Sequence, residues 1–174
     1  MGYGPGHSVP VWREYFGNID LELWMAEYDA KCAAGWVKVN GALANVVSGD
    51  QADPQVLQRW INETGGEFDI VVDDGGHTWS QMTNSFRYLW PVLRPGGVYF
   101  IEDLVCAGQD KYQDAPADQN PLEWIKQYIE TIATRYGSPT NPQMDLKTIS
   151  CTMGICAFEK CHELDNGVDG PLCN

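Results

Sequence analysis

Val71-Val72-Asp73-Asp74-Gly75-Gly76-His77 and Phe100-Ile101-Glu102-Asp103 decide how this sequence folds. Each is a short apolar run closed by carboxylates. Such a run reads as a strand buried in a parallel sheet, and its end marks the start of a loop. Open α/β sheets bind ligands at the carboxyl ends of their strands. This places Asp73, Asp74 and His77 at one strand tip and Glu102 and Asp103 at the next. Carboxylates converging there, with a histidine three residues beyond Asp74, suit a hard divalent cation with a base beside it.

Strands and helices alternate on both sides of this block. Val9 to Phe16 is expected to be a helix, Leu21 to Ala26 a strand ending at Glu27-Tyr28-Asp29, and Ala44 to Val47 a short strand ending at Ser48-Gly49-Asp50-Gln51. Asp53-Pro54 combines a favoured N-cap with a favoured first helical residue, so a helix starts there. It runs to Thr64, where Gly65-Gly66 stops it. Phe68 to Val72 is a strand, Ser80 to Leu93 a helix, Arg94 to Gly97 a turn and Val98 to Ile101 a strand. The Asp-rich stretch from Gly108 to Pro121 has the length of a substrate-side lid or loop. Leu122 to Tyr136 is an amphipathic helix, and Leu146 to Cys151 with Ile155 to Lys160 form a hairpin through Thr152-Met153-Gly154. The expected fold is α/β: a Rossmann-like, doubly wound, mostly parallel sheet closed by an antiparallel hairpin strand.

One element is missing from that plan. A glycine-rich nucleoside loop normally follows a strand, yet Gly2-Tyr3-Gly4-Pro5-Gly6 comes directly after Met1. The first strand is therefore expected to be absent. Residues 1–160 read as one N-terminally truncated domain, and 161–174 as a flexible tail.

The chain has 174 residues, 44% of them hydrophobic and seven of them Trp, which suits a globular protein. Its formal net charge of −13 disfavours a nucleic-acid partner. No apolar run reaches the length of a membrane span, and no signal peptide is visible, so a cytoplasmic location is expected. Six cysteines form no close C-x-x-C pair. Cys151, Cys156 and Cys161, followed by His162, have a regular spacing that a metal site could use. The plainer reading is buried or free thiols in a reducing compartment.

Each chemical assignment has a plainer alternative. Gly2, Gly4 and Gly6 let a ligand approach the backbone, and Glu27 can accept both ribose hydroxyls, which fits a dinucleotide or S-adenosylmethionine (SAM). The alternative is a tight turn. Asp50 and Gln51 can contact adenine or simply cap the helix after them, and Asp73 is placed with this cofactor-binding group. Asp74, Glu102 and Asp103 offer oxygen ligands that favour Mg²⁺, Ca²⁺ or Mn²⁺ over zinc. Their alternatives are a helix-capping turn and a solvated loop start. His77 is either a base for a substrate hydroxyl or a polar residue at a helix N-terminus.

The stretch from Phe68 to Leu104, through Asp-Asp-Gly-Gly-His and Arg-Pro-Gly-Gly-Val-Tyr-Phe-Ile-Glu-Asp-Leu, resembles the metal-dependent sugar O-methyltransferases of the macrocin and mycinamicin type. The resemblance extends to Gly2–Gly6, Glu27, Gly49-Asp50-Gln51 and the final hairpin. It implies SAM and Mg²⁺ (or Mn²⁺) as cofactors, metal ligands at Asp74, Glu102 and Asp103, and a base at His77. It also implies a hydroxylated small-molecule acceptor, a sugar or glycoside, and allows a homo-oligomer. The sequence departs from the family by lacking the strand before the glycine loop and the region upstream of it.

Three functions compete. The first is a Mg²⁺-assisted, SAM-dependent O-methyltransferase. The second is a catalytically inactive methyltransferase-fold fragment acting as a binding module, which intact Asp74, His77, Glu102 and Asp103 argue against. The third is a nicotinamide oxidoreductase, which gives the Asp-Asp-Gly-Gly-His block no role.

Overall fold

The computed structural model describes residues 8–17, 20–134 and 145–162. The glycine loop at Gly2, Gly4 and Gly6 and most of the expected tail lie outside them. The chain divides into two compact units, Met1–Thr64 and Gly65–Asn174.

In the first unit, α1 (Ser8–Phe16) precedes β1 (Trp24–Glu27), α2 (Ala30–Asn40), β2 (Asn45–Ser48) and α3 (Pro54–Thr64). β1 and β2 pair in parallel, with Glu27 opposite Ser48. Their core holds Val9, Trp36 and Ala44, packed by Leu23, Met25 and Val46. α3 has the bounds read from the sequence. Asp53 Oδ1 accepts the Gln55 N–H at 2.8 Å, and Gly65 and Gly66 end the helix at φ +80° and +65°, where a side chain would be strained. α2 was not expected. Its start is fixed by Asp29, whose carboxylate accepts the N–H groups of Lys31 and Cys32.

The second unit is a four-stranded sheet in the order β3-β4-β6-β5. Its elements are β3 (Phe68–Asp73), α4 (Trp79–Leu89), β4 (Leu93–Ile101), α5 (Pro121–Thr134), β5 (Leu146–Thr152) and β6 (Ile155–Lys160). β3 and β4 are parallel, and the β5–β6 hairpin joins β4 antiparallel. The expected α/β fold with a closing antiparallel hairpin is found, but the pairing is mixed and not mostly parallel: β1–β2 and β3–β4 are parallel, whereas β4–β6 and β5–β6 are antiparallel. Tyr99, Ile101 and Phe158 are fully buried in the core of the second unit, with Met82 and Phe86 of α4 and Trp124 of α5 packed there.

Two boundaries differ from expectation. α4 stops at Leu89 instead of Leu93: Trp90 still has helical backbone and donates its N–H to the Phe86 carbonyl, but Pro91 has no N–H with which to continue the ladder. Arg94-Pro95-Gly96-Gly97 is an irregularity inside β4, not a separate turn: Phe68 pairs with Leu93, and the ladder resumes at Ile70 with Val98. The stretch after β4 forms three short 3₁₀ turns, Leu104–Gly108, Asp110–Tyr112 and Ala117–Gln119.

The thiol reading fails for three cysteines. Cys151 and Cys156 are opposite residues of the β5–β6 ladder and are joined by a disulfide, with Cα atoms 4.1 Å apart. Cys161 is also disulfide-bonded. Oxidised sulfurs are not thiolate ligands, so the alternative metal site at Cys151, Cys156, Cys161 and His162 is excluded. Cys32 and Cys106 are free.

Lys160 fixes the turn that brings the chain from α4 into β4. Its buried ammonium donates to the carbonyls of Trp90, Pro91 and Leu93, the last at 2.8 Å. Lys160→Met keeps the stem's packing but leaves these acceptors without their donor. It should lower the unfolding free energy by about 2 kcal/mol, as read from urea denaturation.

Candidate active site

β3 and β4 end side by side, because Asp73 pairs with Ile101 in the parallel ladder. The tips are joined by one further bond, from the Glu102 N–H to the Asp73 carbonyl at 2.9 Å. Asp74 and Asp103 both emerge from these tips exposed, and Glu102 is half-buried. His77 follows on the loop between β3 and α4. The imidazole Nε2 lies 3.6 Å from Asp103 Oδ2, with the His77 side chain 18% exposed and that of Asp103 60% exposed.

Donor atoms of Asp74, His77 and Asp103 fall within 4.8 Å of one another. Glu102 is outside this tightest group but feels it. Burial raises its carboxyl pKa first, repulsion from Asp74 and Asp103 adds to the rise, and His77 opposes it. This is a pocket of mutually repelling negative charge. A hard cation fits such a donor set, because carboxylate oxygens suit Mg²⁺ or Mn²⁺ and a positive charge relieves the repulsion.

The local backbone explains the convergence. Three described residues other than glycine have positive φ, and two of them are His77 (+60°) and Asp103 (+52°). Left-handed backbone is uncommon outside glycine and gathers at functional sites, where the surrounding structure must hold it in place. At Gly76 an added Cβ would collide with the Gln81 side chain. That side chain accepts the Thr78 N–H while Thr78 Oγ1 accepts the Gln81 N–H, forming a capping box one residue after His77.

The Asp-rich stretch expected as a lid is tied to the same helix. Trp79 Nε1 donates to the Ala107 carbonyl at 2.9 Å, and Thr83 Oγ1 donates to the Gln119 carbonyl at 2.7 Å. Asp114 accepts from the Ser80 N–H at 2.9 Å and from the Ser80 hydroxyl at 2.5 Å. The sequence reading assigned none of these residues. Asp114 is detectable only through its tertiary bond to a helix start 34 residues away.

The expected cofactor residues are placed as follows. In the first unit, Glu27 ends β1, and Asp50 and Gln51 follow β2 at the corresponding tip. Glu27 Oε1 accepts the Asp29 N–H at 3.0 Å, and Asp50 Oδ1 accepts the Ala52 N–H at 2.9 Å. In the second unit, Asp73 turns inward. Its side chain is buried and accepts a hydrogen bond from the Tyr99 hydroxyl at 3.1 Å.

Comparison with known proteins places this chain in a family. Residues 7–104 match the family described as "Methyltransferase domain", a span that ends just beyond Glu102 and Asp103. Demethylmacrocin O-methyltransferase of Streptomyces fradiae is 50% identical over 132 residues, covering 73% of this chain and 31% of that protein. L-olivosyl-oleandolide 3-O-methyltransferase of Streptomyces antibioticus is 30% identical over 132 residues, covering 73% of this chain and 32% of the relative. The chain therefore spans about a third of the length of these relatives. Among solved structures, the mycinamycin-pathway methyltransferase MycE, in complex with Mg, SAH and mycinamycin VI, superposes with a TM-score of 0.74. That likeness is at 27% identity and covers 93% of this chain and 42% of MycE. The chain belongs to the methyltransferase-domain family and has its Rossmann-like α/β fold.

The Asp114 brace gives a pH-dependent prediction. Burial alone would raise its carboxyl pKa, but hydrogen bonds from the Ser80 hydroxyl, the Ser80 N–H and Thr78 outweigh it and hold the value low. A carboxyl depressed in the folded state stabilises above its unfolded pKa and loses that contribution as pH falls through the folded value. Asp114→Ala should cost about 1 kcal/mol at neutral pH, the usual scale for a lost helix N-terminal cap. The gap between variant and parent should narrow in acid below about pH 4. Paired urea melts at pH 7 and pH 3 would read both effects.

Proposed function

We propose that this methyltransferase-family chain carries out SAM-dependent, Mg²⁺-assisted O-methylation of a hydroxyl on a small molecule, with a sugar of a glycoside as the acceptor class. The observation that carries this reading is the convergence of Asp74, His77 and Asp103 within 4.8 Å, with Glu102 beside them. Two further facts support it. A relative named for an olivosyl substrate shares 30% identity, and the MycE structure holds Mg and SAH.

In this reading Asp74, Glu102 and Asp103 hold the cation, while Glu27, Asp50 and Gln51, with Gly2, Gly4 and Gly6, hold SAM. When bound, SAM supplies an electrophilic methyl group, and the cation lowers the pKa of an acceptor hydroxyl and orients it. The chain's own residues do the rest. His77 receives the acceptor's hydroxyl proton at Nε2, the nitrogen turned toward Asp103. Asp103, 3.6 Å from that nitrogen, stabilises the imidazolium that results. The capping box and the Asp114 brace hold the His77 loop in position, so little reorganisation is needed when the acceptor arrives.

Chelation and replacement test the metal assignment: methyl transfer should stop in EDTA and return with Mg²⁺ or Mn²⁺. Equal turnover in chelator would refute it. His77→Ala should reduce kcat by roughly 10²-fold while cation affinity barely changes. Loss of cation binding in that variant would make His77 a ligand in place of Glu102. Glu27→Ala should weaken SAM binding by on the order of 2 kcal/mol in calorimetry, through loss of a bidentate charge-assisted contact. An unchanged SAM affinity would remove Glu27 from the site.

A further inference from the structure

Asp73 and Asp74 are chemically identical neighbours at the end of β3, yet the structure buries one and exposes the other. Successive strand residues point to opposite faces, so a slip of one position would exchange them. Hydrophobicity cannot choose between two aspartates. The choice must come from what the inward carboxylate meets.

It meets Tyr99. This side chain is fully buried on β4, two residues before Ile101, the ladder partner of Asp73. The Tyr99 hydroxyl donates to Asp73 Oδ2 at 3.1 Å and is also hydrogen-bonded to Ser85 of α4, itself buried. Burial first, and then the neighbouring Asp73 charge, hold the phenol well above its ordinary pKa, so it remains a donor. A buried carboxylate without a partner is costly, and a phenol without an acceptor also costs. The two groups satisfy each other only when Asp73 faces inward.

The three members of this chain lie on the three elements that carry the candidate site. Ser85 belongs to α4, whose start follows His77. Tyr99 belongs to β4, which delivers Glu102 and Asp103. Asp73 ends β3 and precedes Asp74, and its carbonyl accepts the Glu102 N–H. We propose that Tyr99 and Asp73 form a positioning pair that sets the rotation of the β3 tip, so that Asp74 points outward to meet Asp103 and His77. The proposal rests on reading that cluster as a cation site. The role given to Asp73 is to orient the ligands from beneath, not to bind cofactor.

Mn²⁺ titration of the full chain, followed by electron paramagnetic resonance, tests it with Tyr99→Phe. This change removes one oxygen and keeps the ring. Mn²⁺ affinity should fall about tenfold or more, the scale seen when partners that orient metal ligands are lost. Leu146→Ala serves as a control for general destabilisation, since Leu146 is buried on β5 away from the pair; it should leave Mn²⁺ affinity unchanged at a comparable loss in melting temperature. Asp73→Asn, which can still accept from Tyr99, should retain more affinity than Asp73→Val. Should Tyr99→Phe not fold, Ser85→Ala gives the second reading, with a fall of several-fold. Parent-like Mn²⁺ binding in Tyr99→Phe, or equal losses in Tyr99→Phe and Leu146→Ala, would overturn the positioning role alone. No Mn²⁺ binding by the unmodified chain would instead overturn the cation-site reading, and the pair's role with it.

Discussion

The second unit depends on a constraint at the end of β3, where two carboxylates in succession must part. One goes into a core that contains Tyr99, Phe86 and Phe158, and the other goes out toward two more acids. Neither destination favours a carboxylate by itself. Inside, burial penalises the charge unless a donor is waiting. Outside, Asp74, Glu102 and Asp103 repel one another, which adds to burial in raising the pKa of Glu102. The fold bears this cost because the bulk of the sheet is apolar and well packed around it. A site that concentrates like charge before any ligand arrives already favours a cation electrostatically.

Much of this was legible in the sequence because it depends on local chemistry. Asp53-Pro54 and Gly65-Gly66 marked both ends of α3 through cap and glycine effects that act within a few residues. The two carboxylate-terminated apolar runs identified β3, β4 and the residues at their tips. α2 escaped because Gly35, Val37 and Val39 lower its helical propensity, and its strongest signal is the Asp29 cap. The Cys151–Cys156 disulfide escaped because it is set by register: only the ladder puts those two residues opposite each other. Asp114 and Tyr99 escaped for a similar reason. Each acts on a residue more than twenty positions away, and no periodicity reports such a pairing. The inward turn of Asp73 was likewise undetermined, since the sequence offers two equal aspartates.

The hairpin does more for the site than close the sheet. The Leu104 N–H donates to the Gly154 carbonyl at 2.8 Å, so the turn of the β5–β6 hairpin holds the chain directly after Asp103. The Cys151–Cys156 disulfide lies at the base of that turn, with Cys156 opposite Ile101 of β4. On the other side of Asp103, the Glu102 N–H is held by the Asp73 carbonyl. Asp103 therefore keeps its left-handed backbone between two fixed points, one on β3 and one on the hairpin.

His77 is constrained in a comparable way by different means. Its backbone is also left-handed, and the residues that follow are locked by the Thr78–Gln81 capping box and by Asp114 at Ser80. Each of these bonds is modest alone, about 1 kcal/mol. Together they hold the His77 end of the 3.6 Å gap between the imidazole and Asp103, and the bonds of the hairpin and of β3 hold the other. An imidazole and a carboxylate held at that separation before a ligand binds need little ordering afterwards. The polar bonds around the cluster, which add little to core stability, are thus best understood as setting geometry.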